Sequence, residues 1–159
     1  MQPFATPSAV PFAPYFAVPA CRAPLALEVD MQFIALLDAY RPSGGLARTQ
    51  EALELFMRRC GPDLATLARW MVAREVLCLD WHGQSWMPMF QFDLVDMAPL
   101  PQLAPVLGEL NPVYSPWALA AWFAQPNPWL EGARPADVLV CNYAGVLDAA
   151  RADRFVALG

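Results

Sequence analysis

The chain has 159 residues, of which 57% are apolar and 16% are charged, and its formal net charge is −5 at pH 7. This length suffices for one domain with a sizeable core, or for one core with a small appendage. The acidic balance argues against a protein built mainly to bind nucleic acid, whose affinity depends on neutralising phosphates. All ten basic residues are arginine, so covalent catalysis by a lysine amine is excluded.

The charged fraction is low, because an ordinary globular chain carries about 25% charged residues. Apolar side chains are therefore expected on the surface, where large exposed patches usually mark interfaces. A well-filled core with many alanine and proline residues on the outside explains the composition equally well.

Residues 1–28 are predicted to form an extended arm, because proline recurs through them and breaks helices. The arm is interpreted either as a loose tail or as a segment that lies on the domain or on a partner, since it carries Phe4, Phe12, Tyr15 and Phe16. It lacks the pattern of a signal peptide, and no run approaches the ~18–20 apolar residues of a membrane helix. No membrane association and a cytoplasmic location are therefore expected.

Residues 29–93 are predicted to be a helical region that ends in a β-hairpin. Apolar periodicity predicts helices over about 29–40, 47–60 and 63–75. A Gly-Pro turn separates the second and third helices, which is the organisation of a helix-turn-helix. Two helices with a short turn are also an ordinary feature of small α-rich domains.

A DNA-binding role for this helix pair is one interpretation of the region. The side chains that would contact DNA are Arg58, Arg59, Thr66, Arg69 and Arg74. Four acidic residues on the same pair of helices oppose this role, namely Glu51, Glu54, Asp63 and Glu75. A partner that adds positive charge would be needed to offset them.

The hairpin is predicted from a change in the apolar period after residue 75. Val76–Trp81 is a short apolar run, His82-Gly83 suits a turn, and Gln84–Phe92 alternates larger apolar residues with polar or flexible ones. Pro88 is expected to limit the second strand to an edge or bulge position, because proline cannot donate to a ladder.

Residues 94–159 are predicted to form a compact helical part, with helices over about 102–111, 116–125, 135–142 and 145–157. Ser115-Pro116 has the pattern of an N-cap followed by proline in the first turn. The predicted fold class is therefore mainly α with a small β-hairpin, with a helix-turn-helix-like part first and a compact helical part after it.

No catalytic or metal site is predicted from the residue types and spacings. His82 is the only histidine and lies at a predicted hairpin tip, and no nucleophile elbow or phosphate-binding loop is present. The four cysteines are widely spaced and lack the paired spacing of zinc ligands. Cys60, Cys78 and Cys141 are interpreted as buried thiols of a reducing compartment.

Five residues between the helix at 116–125 and the first turn of the helix at 135–142 are of types that determine backbone conformation. They are Asn127, Pro128, Gly132, Pro135 and Asp137. Asn127 can bond the backbone within a rigid turn, and Gly132 permits positive φ. Pro135 fixes the start of the next helix, and Asp137 complements the dipole of that helix. These residues are interpreted as scaffold.

Together with the hairpin, this motif resembles the toxin-binding region of the Xre/MbcA/ParS family of bacterial antitoxins. The resemblance covers about residues 75–152. The matching positions are Pro88, Phe90, Gln91, Phe92 and Asp93 in the hairpin, Trp117 and Trp122 in the next helical part, and the motif Asn127, Pro128, Leu130, Gly132, Pro135, Asp137 and Leu139.

The resemblance implies a binding protein and not an enzyme, with no cofactor. Its partner would be a RES-domain toxin that depletes NAD, and inhibition would be occlusion of the toxin's active-site cleft. A homodimer and autoregulation through DNA would accompany this role. The alternatives are a helix-turn-helix transcriptional regulator that uses residues 47–75, or an orphan interaction scaffold without a toxin partner.

The contact surface would lie on the helices at 116–125 and 135–142 and on the last helix. Because tryptophan and arginine dominate the energetics of interfaces, five residues are predicted as partner contacts: Trp122, Trp129, Arg134, Arg151 and Arg154.

Overall fold

The computed structural model describes residues 23–159, and the side chains from residue 26 onward. This part of the chain is mainly helical with a small antiparallel sheet, which confirms the predicted fold class at that level. The helices are α1 (Ala23–Tyr40), α2 (Thr49–Arg58), α3 (Leu64–Val72), α4 (Leu103–Leu110), α5 (Pro116–Ala124), α6 (Pro135–Val138) and α7 (Tyr143–Leu158). The strands are β1 (Leu46–Arg48), β2 (Leu79–Trp81) and β3 (Gln84–Pro88).

Helix α1 begins at Ala23, six residues before the predicted start, so the predicted boundary of the arm at residue 28 is wrong. Pro24 does not prevent the helix, because proline is tolerated in the first turn, where its missing N–H has no helical acceptor. The remainder of the predicted arm, residues 1–22, lies outside the described residues.

The predicted hairpin is confirmed. Trp81 pairs with Gln84 across a two-residue turn, and both turn residues, His82 and Gly83, have positive φ, as the favoured type I′ hairpin turns require. Strand β1 was not predicted from the sequence. It follows Gly45 and pairs with β3, so the sheet order is β1-β3-β2.

Strand β3 is central, so the prediction that Pro88 confines it to an edge or bulge is wrong. On the β1 side, the N–H of Met89 donates to the carbonyl of Gly45 at 2.9 Å, so Pro88 stands opposite Leu46 where no ladder donor is needed. On the other side, the Gln91 amide replaces the ladder. Its Oε1 accepts from the Leu77 N–H at 2.7 Å, and its Nε2 donates to the carbonyls of Leu77 and Pro88.

Two apolar clusters form the core of the described chain. The larger lies among α1, α4, α5 and α7, and it includes Phe33 and Tyr40 of α1 as well as Leu79 of β2. It therefore draws residues from both predicted regions, 29–93 and 94–159. The buried Tyr40 hydroxyl donates to the carbonyl of Ala120 at 2.6 Å and ties α1 to α5.

The smaller cluster packs α2 and α3 against the sheet, around Phe56, Leu67 and Met87. Asp63 caps α3 by accepting from the Thr66 N–H at 2.8 Å. The apolar periodicity of these two helices predicts that Met57, Cys60, Leu64 and Val72 point inward, and this is wrong, because all four are exposed. Cys60 follows the end of α2 with a positive φ of 54°, which turns the chain out of the helix. A DNA-binding helix-turn-helix arrangement of α2 and α3 stays a prediction.

Within residues 23–159, no helix combines the length and apolar character needed to cross a membrane.

Candidate protein-binding surface

The segment between α5 and α6 is a compact turn organised by Asn127, which is almost completely buried. Its side-chain Oδ1 accepts from the Trp129 N–H at 2.9 Å and caps the 3-10 turn Pro128–Leu130. Its backbone N–H donates to Ala133, and its carbonyl accepts from Leu130 and Gly132, each at 3.0 Å. Asn127 thus bonds to four backbone groups of this turn, and its role as scaffold stays a prediction.

Two consecutive residues of this turn, Glu131 and Gly132, have positive φ, of 56° and 85°. Glycine adopts this backbone region without the steric cost that other residues meet. The chain then runs through Arg134 into α6, with Pro135 buried in the first helical position. Helix α6 ends at Val138, four residues before the predicted end.

A carboxylate that was not predicted from the sequence holds this turn against α7. Oδ2 of Asp153 accepts from Trp122 Nε1 at 2.6 Å and from Asn127 Nδ2 at 3.1 Å, and its Oδ1 accepts from Trp129 Nε1 at 3.0 Å. We call these four residues the Asp153 cluster. Charge-assisted hydrogen bonds of this kind are stronger than neutral ones. No local sequence signal identifies Asp153, because its partners lie on other elements.

Of the two predicted tryptophan contacts, Trp129 presents more of its ring to solvent. Trp122 is half-buried, whereas 60% of Trp129 is exposed although its indole N–H is fixed by Asp153. The last turns of α7 add three exposed apolar side chains, Phe155, Val156 and Leu158. We call these three residues the α7 end. Apolar side chains are thus exposed, as the low charged fraction of the sequence predicted.

The three predicted arginine contacts each have partners within the chain. Arg134 donates from Nε to Asp137 at 2.7 Å and from Nη1 to the carbonyl of Ala39 at 2.7 Å, which ties α6 to the end of α1. Arg151 and Arg154 reach α4, where they contact the two carboxylate oxygens of Glu109 at 3.4 and 2.7 Å.

The hydrogen bond from Arg154 is the main cause that lowers the pKa of the Glu109 carboxyl. Partial desolvation opposes this effect, and the hydrogen bond from Arg151 adds to it. Both arginine side chains keep about half of their surface exposed, at 56% for Arg151 and 41% for Arg154. The ion pairs with Glu109 therefore fix both guanidinium groups beside the α7 end, while their exposed surface stays accessible to a partner.

The predicted DNA contacts are dispersed in the structure. Arg58 lies 3.9 Å from Glu54 on α2, Arg59 donates to the carbonyl of Leu94, and Thr66 and Arg69 lie on α3, where Arg69 is exposed. Arg74 donates to the carbonyls of Asn111 and Tyr114 at 3.3 and 3.2 Å. It therefore helps to hold the end of α4.

His82 is exposed at the hairpin tip, where its Nε2 lies 2.9 Å from Oδ1 of Asp30, and the same oxygen accepts from Trp81 Nε1 at 2.9 Å. The three residues thus connect the hairpin to α1. The prediction that Cys60 and Cys141 are buried is wrong, because both are exposed at the ends of helical segments. Cys78 is half-buried, and burial raises the pKa of its thiol.

Comparison with known protein families, with curated proteins and with solved structures finds no match to this chain.

Proposed function

We propose that this chain is an antitoxin-like binding protein that neutralises a RES-type, NAD-depleting toxin by occluding the toxin's active site. In this proposal it acts in the cytoplasm as a homodimer, catalyses no reaction and needs no cofactor. Two things support the proposal. One is the resemblance of residues 75–152 to the Xre/MbcA/ParS antitoxins. The observation that carries it is the Asp153 cluster, which fixes the Trp129 indole N–H while 60% of this residue stays exposed.

A fixed, exposed tryptophan is suited to binding because its conformation is set before the partner arrives. Ordering a free side chain at an interface costs about 0.5–1.5 kcal/mol, and the hydrogen bond to Asp153 removes part of that cost. Tryptophan is also enriched among the residues that dominate interface energetics. Trp129 is therefore the central contact of the proposed surface, with Trp122 supporting it from α5.

The arginines have unequal roles in this proposal. Arg134 is bound to Asp137 and to the Ala39 carbonyl and is half-buried, so it supports the position of α6. Arg151 and Arg154 keep exposed guanidinium surface beside the α7 end. A polar, charged rim around an apolar contact is the usual arrangement of a protein interface.

Co-expression with the product of the neighbouring gene tests the proposal. We expect the two chains to copurify, and we expect the full-length protein to restore both growth and the cellular NAD level. The Trp129→Ala variant should bind about 30-fold more weakly, which corresponds to a hot-spot loss of about 2 kcal/mol. Isothermal titration calorimetry of the purified pair measures this change.

Met57→Ala is the matched control, because Met57 is equally exposed but lies on α2, away from the Asp153 cluster. Its affinity should equal that of the unaltered protein. A neighbouring toxin that neither copurifies nor loses activity would contradict the proposal. A complex that forms without restoring NAD would indicate an interaction scaffold instead.

A sequence-specific regulator is the second candidate function. It is favoured by the short connection between α2 and α3 and by the exposed Arg58, Arg59 and Arg69 on these elements. A mobility shift with the DNA upstream of the gene should then weaken steeply as salt rises. Arg69→Ala should weaken it, and Arg41→Ala, which removes an exposed arginine outside this helix pair, serves as the control.

A further inference from the structure

A groove of about 420 Å³ lies between α1 and α5. The described residues that line it are mostly small and apolar, and none of them carries a charge. Trp117 forms part of one wall, and five alanines leave room between the two helices: Ala35, Ala39, Ala118, Ala121 and Ala124. The polar residues within this described lining are the uncharged Gln32, Ser115 and Gln125. Such a groove suits an uncharged, aromatic or proline-rich occupant.

We propose that residues 11–16 of the same chain, Pro-Phe-Ala-Pro-Tyr-Phe, occupy this groove. These residues lie outside the described part of the chain. Their chemistry matches the groove, because residues 1–21 include no charged side chain and residues 11–16 supply three aromatic rings and two prolines. Proline-containing segments commonly bind in grooves lined by aromatic side chains.

The length of chain before α1 is sufficient for this segment to reach the groove. Gln32 and Ala39 lie nine and sixteen residues after the start of α1 at Ala23, which is about 14–24 Å along a helix that rises 1.5 Å per residue. A chain that reverses within about four residues and then extends by about 3.1 Å per residue needs roughly five to eight residues to cover this span. Residues 19–22 are reserved for the reversal, so five to eight residues counted back from residue 19 reach residues 11–14. Tyr15 and Phe16 then lie at the end of the groove that is closer to the start of α1.

The covalent connection favours this occupant over a free peptide. A short tether gives an intramolecular segment an effective concentration in the millimolar range. A modest affinity is therefore enough to fill the groove. The inference is independent of any toxin partner, since α1 and α5 and the segment belong to one chain.

Site-specific photo-crosslinking tests the proposal on the full chain. The amino acid p-benzoylphenylalanine replaces Phe12, Tyr15 or Phe16 in turn, and the crosslinked peptides are identified by mass spectrometry after irradiation at low protein concentration. We expect at least one of the three positions to crosslink within the same chain to residues 32–39 or 115–125. The same probe at Phe4 should not reach these residues, because the counting places Phe4 beyond the groove.

Charge placed in the groove should displace the segment. Ala35→Arg is expected to reduce the crosslink yield at least fivefold, and Gln32→Glu, which hardly changes side-chain size, should reduce it in the same direction. Ala68→Arg is the matched control, because Ala68 is an exposed alanine on α3, away from the groove. It should leave the yield unchanged.

Three results would overturn the proposal. The first is the absence of crosslinks to either helix from all three positions. The second is crosslinking only between chains, which would assign the groove to the arm of a second copy. The third is a yield that neither Ala35→Arg nor Gln32→Glu lowers, although circular dichroism shows that the variants are folded.

Discussion

At the residue scale, Asp153 binds three residues of the candidate surface through its side chain, although the sequence motif does not include it. One carboxylate accepts from two indoles and one amide that come from α5 and from the turn before α6. For a carboxylate that accepts several hydrogen bonds, the free energy lost when it is removed exceeds the free energy that its bonds add. Its bonds add modestly to stability, whereas removing it leaves the part-buried N–H groups of Trp122 and Asn127 without an acceptor.

Asp153→Asn should therefore destabilise the fold by about 1–3 kcal/mol, because an amide offers one acceptor oxygen and turns an NH₂ group toward the indoles. Urea unfolding measures the change in free energy. Nuclear magnetic resonance of the indole N–H groups should show faster hydrogen exchange at Trp122 and Trp129. The control is Asp148→Asn on the same helix, whose exposed carboxylate pairs with Arg151. Unchanged indole exchange in Asp153→Asn would disprove the role of the carboxylate.

Glu109 gives a pH-dependent contribution at the same scale. Arg154, and to a lesser degree Arg151, lower the pKa of this carboxyl below its ordinary value of 4.5. A carboxyl with a lowered pKa in the folded state stabilises the protein above the unfolded-state pKa, and this contribution is lost as pH falls through the folded-state pKa.

The free energy of unfolding should consequently differ between the unaltered protein and Glu109→Gln at pH 7, and the difference should shrink as pH falls below about 4.5. Denaturant titrations at several values from pH 7 to pH 3 provide the comparison. Glu54→Gln, on α2, controls for the general loss of one negative charge. A difference that stays constant down to pH 3 would mean that the ion pair with Arg154 contributes nothing to folding.

At the element scale, the sheet depends on the Gln91 side chain, whose amide makes the hydrogen bonds that a neighbouring backbone would otherwise make. Proline at the end of central strand β3 leaves Leu77 without a ladder partner, and the Gln91 amide supplies both a donor and an acceptor to that residue. Gln91 is 0% exposed, so water cannot replace these bonds when the amide is removed.

Gln91→Ala should destabilise the protein by about 2–4 kcal/mol, since two backbone groups of Leu77 and the Pro88 carbonyl would lose their partner in a buried site. Thermal unfolding followed by circular dichroism checks this value. Gln102→Ala is a suitable control, because within the described residues the Oε1 atom of Gln102 has no hydrogen-bond partner. Equal losses from the two variants would contradict the surrogate role of Gln91.

The elements that the sequence predicted well are those with local chemical signals. Ser115 caps α5 by accepting from the Ala118 N–H at 3.2 Å, Pro135 opens α6, and His82-Gly83 makes the hairpin turn, each as its residue types indicate. The features that the sequence did not predict depend on contacts between residues far apart in the chain. Strand β1 has three residues and exists because it pairs with β3, and the Asp153 cluster joins residues that are up to 31 positions apart.

At the scale of the whole molecule, an acidic net charge coexists with exposed apolar side chains. The net charge of −5 falls toward zero as pH approaches the isoelectric point of about 4.7. Electrostatic repulsion between molecules then weakens, while the α7 end and the other exposed apolar groups remain. Low charge together with apolar surface promotes association.

Static light scattering should therefore show stronger self-association at pH 5 than at pH 7. Phe155→Asp should reduce this association, because it removes the most exposed aromatic side chain of the described residues, which is 79% exposed, and adds a charge. Ala157→Asp adds the same charge on the same helix without removing a large apolar group, so it should reduce association less. If Phe155→Asp and Ala157→Asp reduced association equally, the added charge alone would account for the change.

The shared larger core has a consequence for how the chain can be divided. Phe33, Leu36 and Tyr40 of α1 fill space beside α5, and Arg134 is bound to the last turn of α1. A fragment that starts at residue 94 would lack α1, and the core residues of α4, α5 and α7 that pack with this helix would be exposed. Whatever the carboxy-terminal helices bind, they cannot be transplanted to another protein, or released by cleavage, without carrying α1 with them.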